Sequence, residues 1–193
     1  FPSPFTKRKP NSFTEFFDDV VLLENATMTY MDKISLLKLL PYDETIFIDA
    51  DCLAYGDLNV FFDMFDSADD ISCFGSVLPK ESEYGFFKLC DIGDYAERVK
   101  FSIDMHGGIM FFRKGDILDK VYDTCCEIKE HYYEYKFKYF SNPADEPLMA
   151  LSMALYGLRP ISSINPLNDQ YPIFAFYPID KKKLHMDILN AKA

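Results

Sequence analysis

The chain has 193 residues, which suits one domain, and its 49% hydrophobic and 26% charged residues make a globular composition. A net charge of −11 excludes a surface built for non-specific nucleic-acid binding, because a phosphate backbone would be repelled. It still admits a phosphate-bearing small molecule, provided a metal cation neutralises the site locally.

No apolar run approaches the ~20 residues of a membrane span, and the first 13 residues, FPSPFTKRKPNSF, lack the apolar centre of a signal peptide. Five cysteines at irregular spacing do not form a disulfide framework, and no CxxC pair suggests zinc. Reduced thiols in a cytoplasmic compartment are the expectation.

Taken in order, residues 1–17 read as a loop or ragged end ahead of a motif-bearing core at 18–165, the whole of 1–193 forming a single domain. DDVVLLE (18–24) reads as a buried strand. MTYMDKISLLKLL (28–40) has helical apolar spacing, stopped by Pro41. ETIFIDA (44–50) is the next buried strand, and Asp57 is a candidate N-cap for a short helix in GDLNVFFDMF. DISCFGSV (70–77) and HGGIMFFRK (106–114) are a third and a fourth strand. Asp116 begins a long helix to about Tyr135, and ADEPLMALSMALYGL (144–158) is a second, with Pro147 tolerated in its first turn. RPISSI is a last short strand. Helices interleaved with continuous apolar strands give the α/β pattern, a sheet covered on both faces. Ligands of such sheets bind at the carboxyl ends of strands.

Asp49 and Asp51 stand at that end of their strand, one residue apart, so in an extended backbone they project the same way and repel unless a positive charge lies between them. Three readings fit the pair. It could hold a divalent cation through hard oxygen ligands. It could supply nucleophile (Asp49) and acid/base (Asp51), as in phosphatases of the haloacid dehalogenase type. It could be a turn with capping carboxylates. Leu53 stands where such phosphatases carry Thr or Val, and no later acidic pair ends a strand.

The stretch KISLLKLLPYDETIFIDADCLAYGDLNVFFDMF resembles the central segment of nucleotide-sugar glycosyltransferases of the GT-A fold, closest to the family 8 type. MHGGIMFFRKGD and ADEPLMALSMA resemble two later motifs of that family, in the same order. The likeness spans about residues 28–160. It implies a GT-A type mixed sheet flanked by helices, and transfer of a hexosyl group from a nucleotide-diphosphate sugar, leaning to retention.

Under this resemblance Asp49 and Asp51, with Ala50 between them, hold Mn²⁺ or Mg²⁺, which bridges the donor diphosphate and stabilises it as it leaves. Lys33, 16 residues before Asp49, reaches the donor phosphates. Gly107 and Gly108 let donor sugar and backbone approach closely, with a bulge or turn as their structural alternative. His106 stands where the family has Asn, and both can bond a sugar hydroxyl. Asp145 and Glu146 contact the sugar or stabilise charge at its anomeric carbon, although acidic residues also favour the first turn of any helix.

The acceptor is a carbohydrate, lipid-linked or protein group. The aromatic stretch EHYYEYKFKYF (130–140) would stack on an acceptor sugar, rest on a membrane surface, or pack as a helix end on the core. No residue stands out as a general base. A base-binding strand–helix unit before residue 18 and the family's late His motif are missing, with His185 in surroundings that do not match, so the sequence reads as incomplete at both ends. A catalytically silent sugar- or nucleotide-binding module is the rival from another class.

Overall fold

The computed structural model describes residues 17–50, 52–54, 57–138, 142–162 and 174–175. Its centre is a mixed four-stranded sheet. Strands β1 (Glu44–Ile48), β3 (Ile71–Leu78), β4 (Ser102–Arg113) and β5 (Ile161–Ser162) run in the spatial order β1-β4-β3-β5. β4 is antiparallel to both its neighbours, and β5 is parallel to β3. A separate two-stranded pair joins β2 (Leu53–Ala54) to β6 (Phe174–Ala175). The helices are α1 (Asp32–Leu36), α2 (Val60–Phe65), α3 (Tyr95–Arg98), α4 (Asp116–Glu130) and α5 (Asp145–Tyr156).

Alternation along β4 explains why both sheet faces are covered. Met110 and Phe112 join Ile103 and Met105 in the larger core, with α1, α4 and α5. Ile109 and Phe111 point the other way, into a smaller core where Phe61 and Phe65 of α2 meet Phe74. Phe65 stacks on Phe111 with ring centroids 5.4 Å apart. Each such fully buried side chain contributes roughly 1.5–3 kcal/mol.

The long strand β4 is not regular. Cys73 pairs with Met110, but the next residue, Phe74, pairs with His106. Three residues of β4, Gly107 to Ile109, are therefore extra relative to β3. A bulge of this kind bends a strand and re-aims its side chains.

Several elements differ from the expectations. Residues 18–24 form no strand, and Val20, Val21 and Leu22 are exposed. An apolar run supplies side chains for a strand but not the neighbouring edge that satisfies its backbone, and no strand among the described residues pairs with it.

The helix expected over 28–40 shrinks to Asp32–Leu36. Its bonds Ile34→Met31 (3.2 Å), Leu37→Ile34 (3.2 Å) and Leu39→Leu36 (2.8 Å) step by three, a tight winding that buries Met31, Ile34 and Leu37 on one line. Asp57 does not cap α2 directly. Its carboxylate accepts the Asn59 N–H at 2.9 Å and so caps the turn that leads in.

α4 ends at Glu130, not near Tyr135. Tyr132 and Phe137 turn into the core there, and Lys136 adopts φ 47°. α5 ends at Gly157, whose φ of 76° is the left-handed conformation glycine adopts without strain. Among the described residues no helix is long and apolar enough to cross a membrane.

Candidate functional site

The site is built where β1 ends, where β4 bulges and where α5 begins. Ile48 pairs with Ile109, and the next amide, Asp49 N–H, still donates to the Gly108 carbonyl at 2.8 Å. That bond fixes the Asp49 backbone beside the double glycine. The Cys52 N–H donates back to the Asp49 carbonyl at 3.0 Å, and the Cys52 thiol lies 3.9 Å from Gly108 O.

Lys33, on α1, answers the charge of Asp49. Its ammonium is 2.8 Å from Asp49 Oδ1 and 2.9 Å from Oδ2, and 3.4 Å from Asp145 Oδ2. The Phe47 ring lies 5.5 Å from the same ammonium, an arrangement that favours a cation. Burial works against the charge on Lys33. The hydrogen bond to Asp49 and the charges of Asp145 and Asp49 outweigh it, and the group titrates above its ordinary 10.5.

Asp145 is 4% exposed. Burial pushes its carboxyl above the ordinary 3.8, opposed by the Lys33 charge. The neighbouring Glu146 turns to the bulge, where its Oε1 accepts the Gly107 N–H at 2.8 Å. A Cβ on Gly107 would stand 2.9 Å from Glu146 Cγ and 3.3 Å from Asp145 Oδ2, so the glycine is required by close packing on α5. On the side where its Cβ would stand, the space beside Gly107 holds Glu146.

Lys33, Asp49, Gly107, Gly108, Asp145 and Glu146 thus come together. His106 sits next to them on β4 and is exposed, as is Ala50. Asp51 and His185 lie outside the described residues.

The carboxylate of Asp49 is a hard oxygen donor of the kind Mn²⁺ and Mg²⁺ take. Each of its oxygens bonds Lys33 and keeps a second lone pair. Both oxygens face the Lys33 ammonium, so a cation at Asp49 would have to share the carboxylate with that charge. Among the described residues, no group of three or more His, Cys, Asp or Glu side chains is arranged to hold a metal.

Two contributors escaped the sequence reading. Phe47 underlies Lys33, and its one signal was its place two residues before Asp49. Asp32 organises the loop before α1: it accepts the Thr27 N–H (2.9 Å), the Met28 N–H (2.8 Å) and the Thr27 hydroxyl (2.8 Å). These bonds, Thr27's backbone N–H first, hold its carboxyl below the usual range.

A wide groove of about 1010 Å³ opens beside this loop and shares Lys33 with the site. No protein-family model matches the chain, and neither a curated protein nor a solved structure does.

Proposed function

We propose that this chain is a metal-dependent glycosyltransferase module of GT-A type, moving a hexosyl group from a nucleotide-diphosphate sugar to an acceptor. One observation carries the reading. Three stretches far apart in sequence, around Asp49, Gly107 and Asp145, close into a single cluster at the end of a sheet strand, with Lys33 at its centre. Such strand ends are where α/β sheets bind ligands.

Asp49 and Asp51 would hold Mn²⁺ or Mg²⁺, and the ion would supply charge for the departing diphosphate. Lys33 brings a permanent positive charge to the same corner. Glu146 keeps the β4 bulge in place through the Gly107 amide, and His106 offers a ring nitrogen to a sugar hydroxyl. The five free thiols suit a reducing, cytoplasmic setting.

The test is thermal unfolding with Mn²⁺ and a nucleoside diphosphate, alone and together. Ligand at a hundred times its Kd raises stability by about 2.7 kcal/mol, or roughly 5–10 °C for a domain of this size. The shift should need both components and vanish in Asp51→Asn. A shift that survives Asp51→Asn removes metal bridging. Phosphate release from a simple phosphomonoester with Mg²⁺ would instead support the phosphatase.

The ion-pair geometry also favours a second reading, a catalytically silent binding module. Asp49 gives both oxygens to Lys33, and a carboxylate paired in this way can serve the fold alone. Nucleotide binding without turnover of any nucleotide sugar would select this reading.

A further inference from the structure

The groove beside α1 has two walls. One is the loop before the helix, with Thr27, Met28 and Tyr30. The other includes Lys129 of α4, Tyr133 and Asn142. Tyr30 is 67% exposed, Tyr133 72% and Met28 91%. Among the described residues, large apolar side chains stand this openly on both sides of one groove, and patches of that kind mark binding surfaces.

The walls are nevertheless held in place. Met28 has φ 58°, an uncommon left-handed conformation for a residue with a side chain. The Asp32 carboxylate fixes it by accepting both the Thr27 and Met28 amides. Strained backbone over-determined by its surroundings marks functional surfaces more often than ordinary loops. On the opposite wall, Tyr133 stands edge-on to the buried Tyr132, ring centroids 5.7 Å apart. The Tyr132 hydroxyl donates to the Asn142 carbonyl at 3.2 Å and accepts the Ala144 N–H at 3.3 Å. The groove wall is thus tied to the residue that precedes Asp145.

We infer that this groove is the acceptor site and that its occupant is a neutral oligosaccharide. Exposed tyrosine faces stack on the apolar C–H face of a pyranose, and rings with few rotatable bonds do so with little loss of freedom. The Asn142 amide and the Lys129 ammonium offer polar partners for ring hydroxyls, and the Thr27 and Thr29 hydroxyls, bonded to each other and to Asp32, keep oxygen lone pairs as acceptors. Lys33 borders both the groove and the Asp49 cluster, so a sugar lying in the groove ends beside the proposed transfer centre. The inference rests on the glycosyltransferase reading for its word acceptor, but the binding it predicts is separable from that reading.

The full chain is titrated with neutral tetrasaccharides of glucose, N-acetylglucosamine and galactose, observed by saturation-transfer NMR and calorimetry. At least one should bind. Tyr133→Ala and Tyr30→Ala should each weaken it at least tenfold, while Tyr133→Phe restores most of the loss. The Mn²⁺-dependent thermal shift with nucleoside diphosphate should stay unchanged in all three variants. Absence of binding by every tetrasaccharide, or binding indifferent to both tyrosines, overturns the groove assignment and leaves the transferase reading standing. Tyrosine-dependent sugar binding in a chain that nucleotide does not stabilise keeps the groove as a carbohydrate site and removes the transferase reading.

Discussion

The Gly107 amide and the Glu146 carboxylate meet at 2.8 Å across the junction of β4 and α5, with no room between them for a side chain. Gly107→Ala places a methyl group 2.9 Å from Glu146 Cγ. The Glu146 side chain can swing aside, but that leaves the Gly107 N–H without its acceptor. The expected cost is about 1–2 kcal/mol, within the range for overpacking. Urea unfolding measures it, and in a Glu146→Ala background, where the acceptor and the clashing Cγ are already gone, Gly107→Ala should cost less.

Lys33 balances two carboxylates at once. Replacing it by Met leaves Asp49 and the buried Asp145 facing each other without a cation, which should cost about 2 kcal/mol at neutral pH. The folded ammonium titrates above its ordinary 10.5. Its stabilising contribution is therefore complete below 10.5 and disappears as the pH rises through the folded value. Wild type and Lys33→Met should converge in stability as the pH rises above 10.5; a gap that stays constant through that range contradicts the assignment.

Asp145 behaves in the opposite sense to an ordinary surface carboxylate. Its folded carboxyl titrates above 3.8, so the native state binds this proton more tightly than the unfolded chain. Its contribution to stability is greatest in acid and falls as the pH rises from 3.8 through the folded value. Asp145→Asn removes that fall. At pH 7 the variant should be as stable as wild type or slightly more so, while losing whatever ligand binding the cluster performs. Denaturation midpoints from pH 3 to 7 check the first part; a variant much weaker than wild type at pH 7 rejects it.

The thiols should divide by environment. Burial pushes Cys73 and Cys125 up to about 12. Cys90 is exposed, and Cys52 and Cys126 are partly so. At pH 8 a chromogenic disulfide should label Cys90 first and leave Cys73 and Cys125 untouched until the chain unfolds. Mass spectrometry of the labelled peptides reads the order.

Much of the fold was legible because its signals are local. β3 and α5 lie nearly where their apolar runs put them, although α5 stops at Gly157, short of the expected 158. Residues 18–24 misled because hydrophobicity announces a strand only when an edge is available. Tyr132 and Phe137 ended α4 early by burying themselves, a tertiary effect that no helical periodicity contains.

At the site, the sequence named stretches that the fold brings together, but not their internal pairings. Lys33, read as a phosphate ligand, is paired with Asp49 and Asp145, a pairing the sequence reading did not contain. Gly107, read as room for a sugar, also makes room for Glu146 on the side of its missing Cβ. Both facts depend on how α1 and α5 lean on the sheet, which residue spacing does not encode.

The three extra residues of β4 have a consequence for length changes. Ile103 and Met105 face the same core as Met110 and Phe112 because an odd number of residues was inserted between the two halves of the strand. Shortening the chain by one residue at Gly108 would turn one half over, sending Met110 and Phe112 towards α2, or Ile103 and Met105 towards it instead. A substitution there disturbs one contact, whereas a single-codon deletion would scramble the facing of an entire strand.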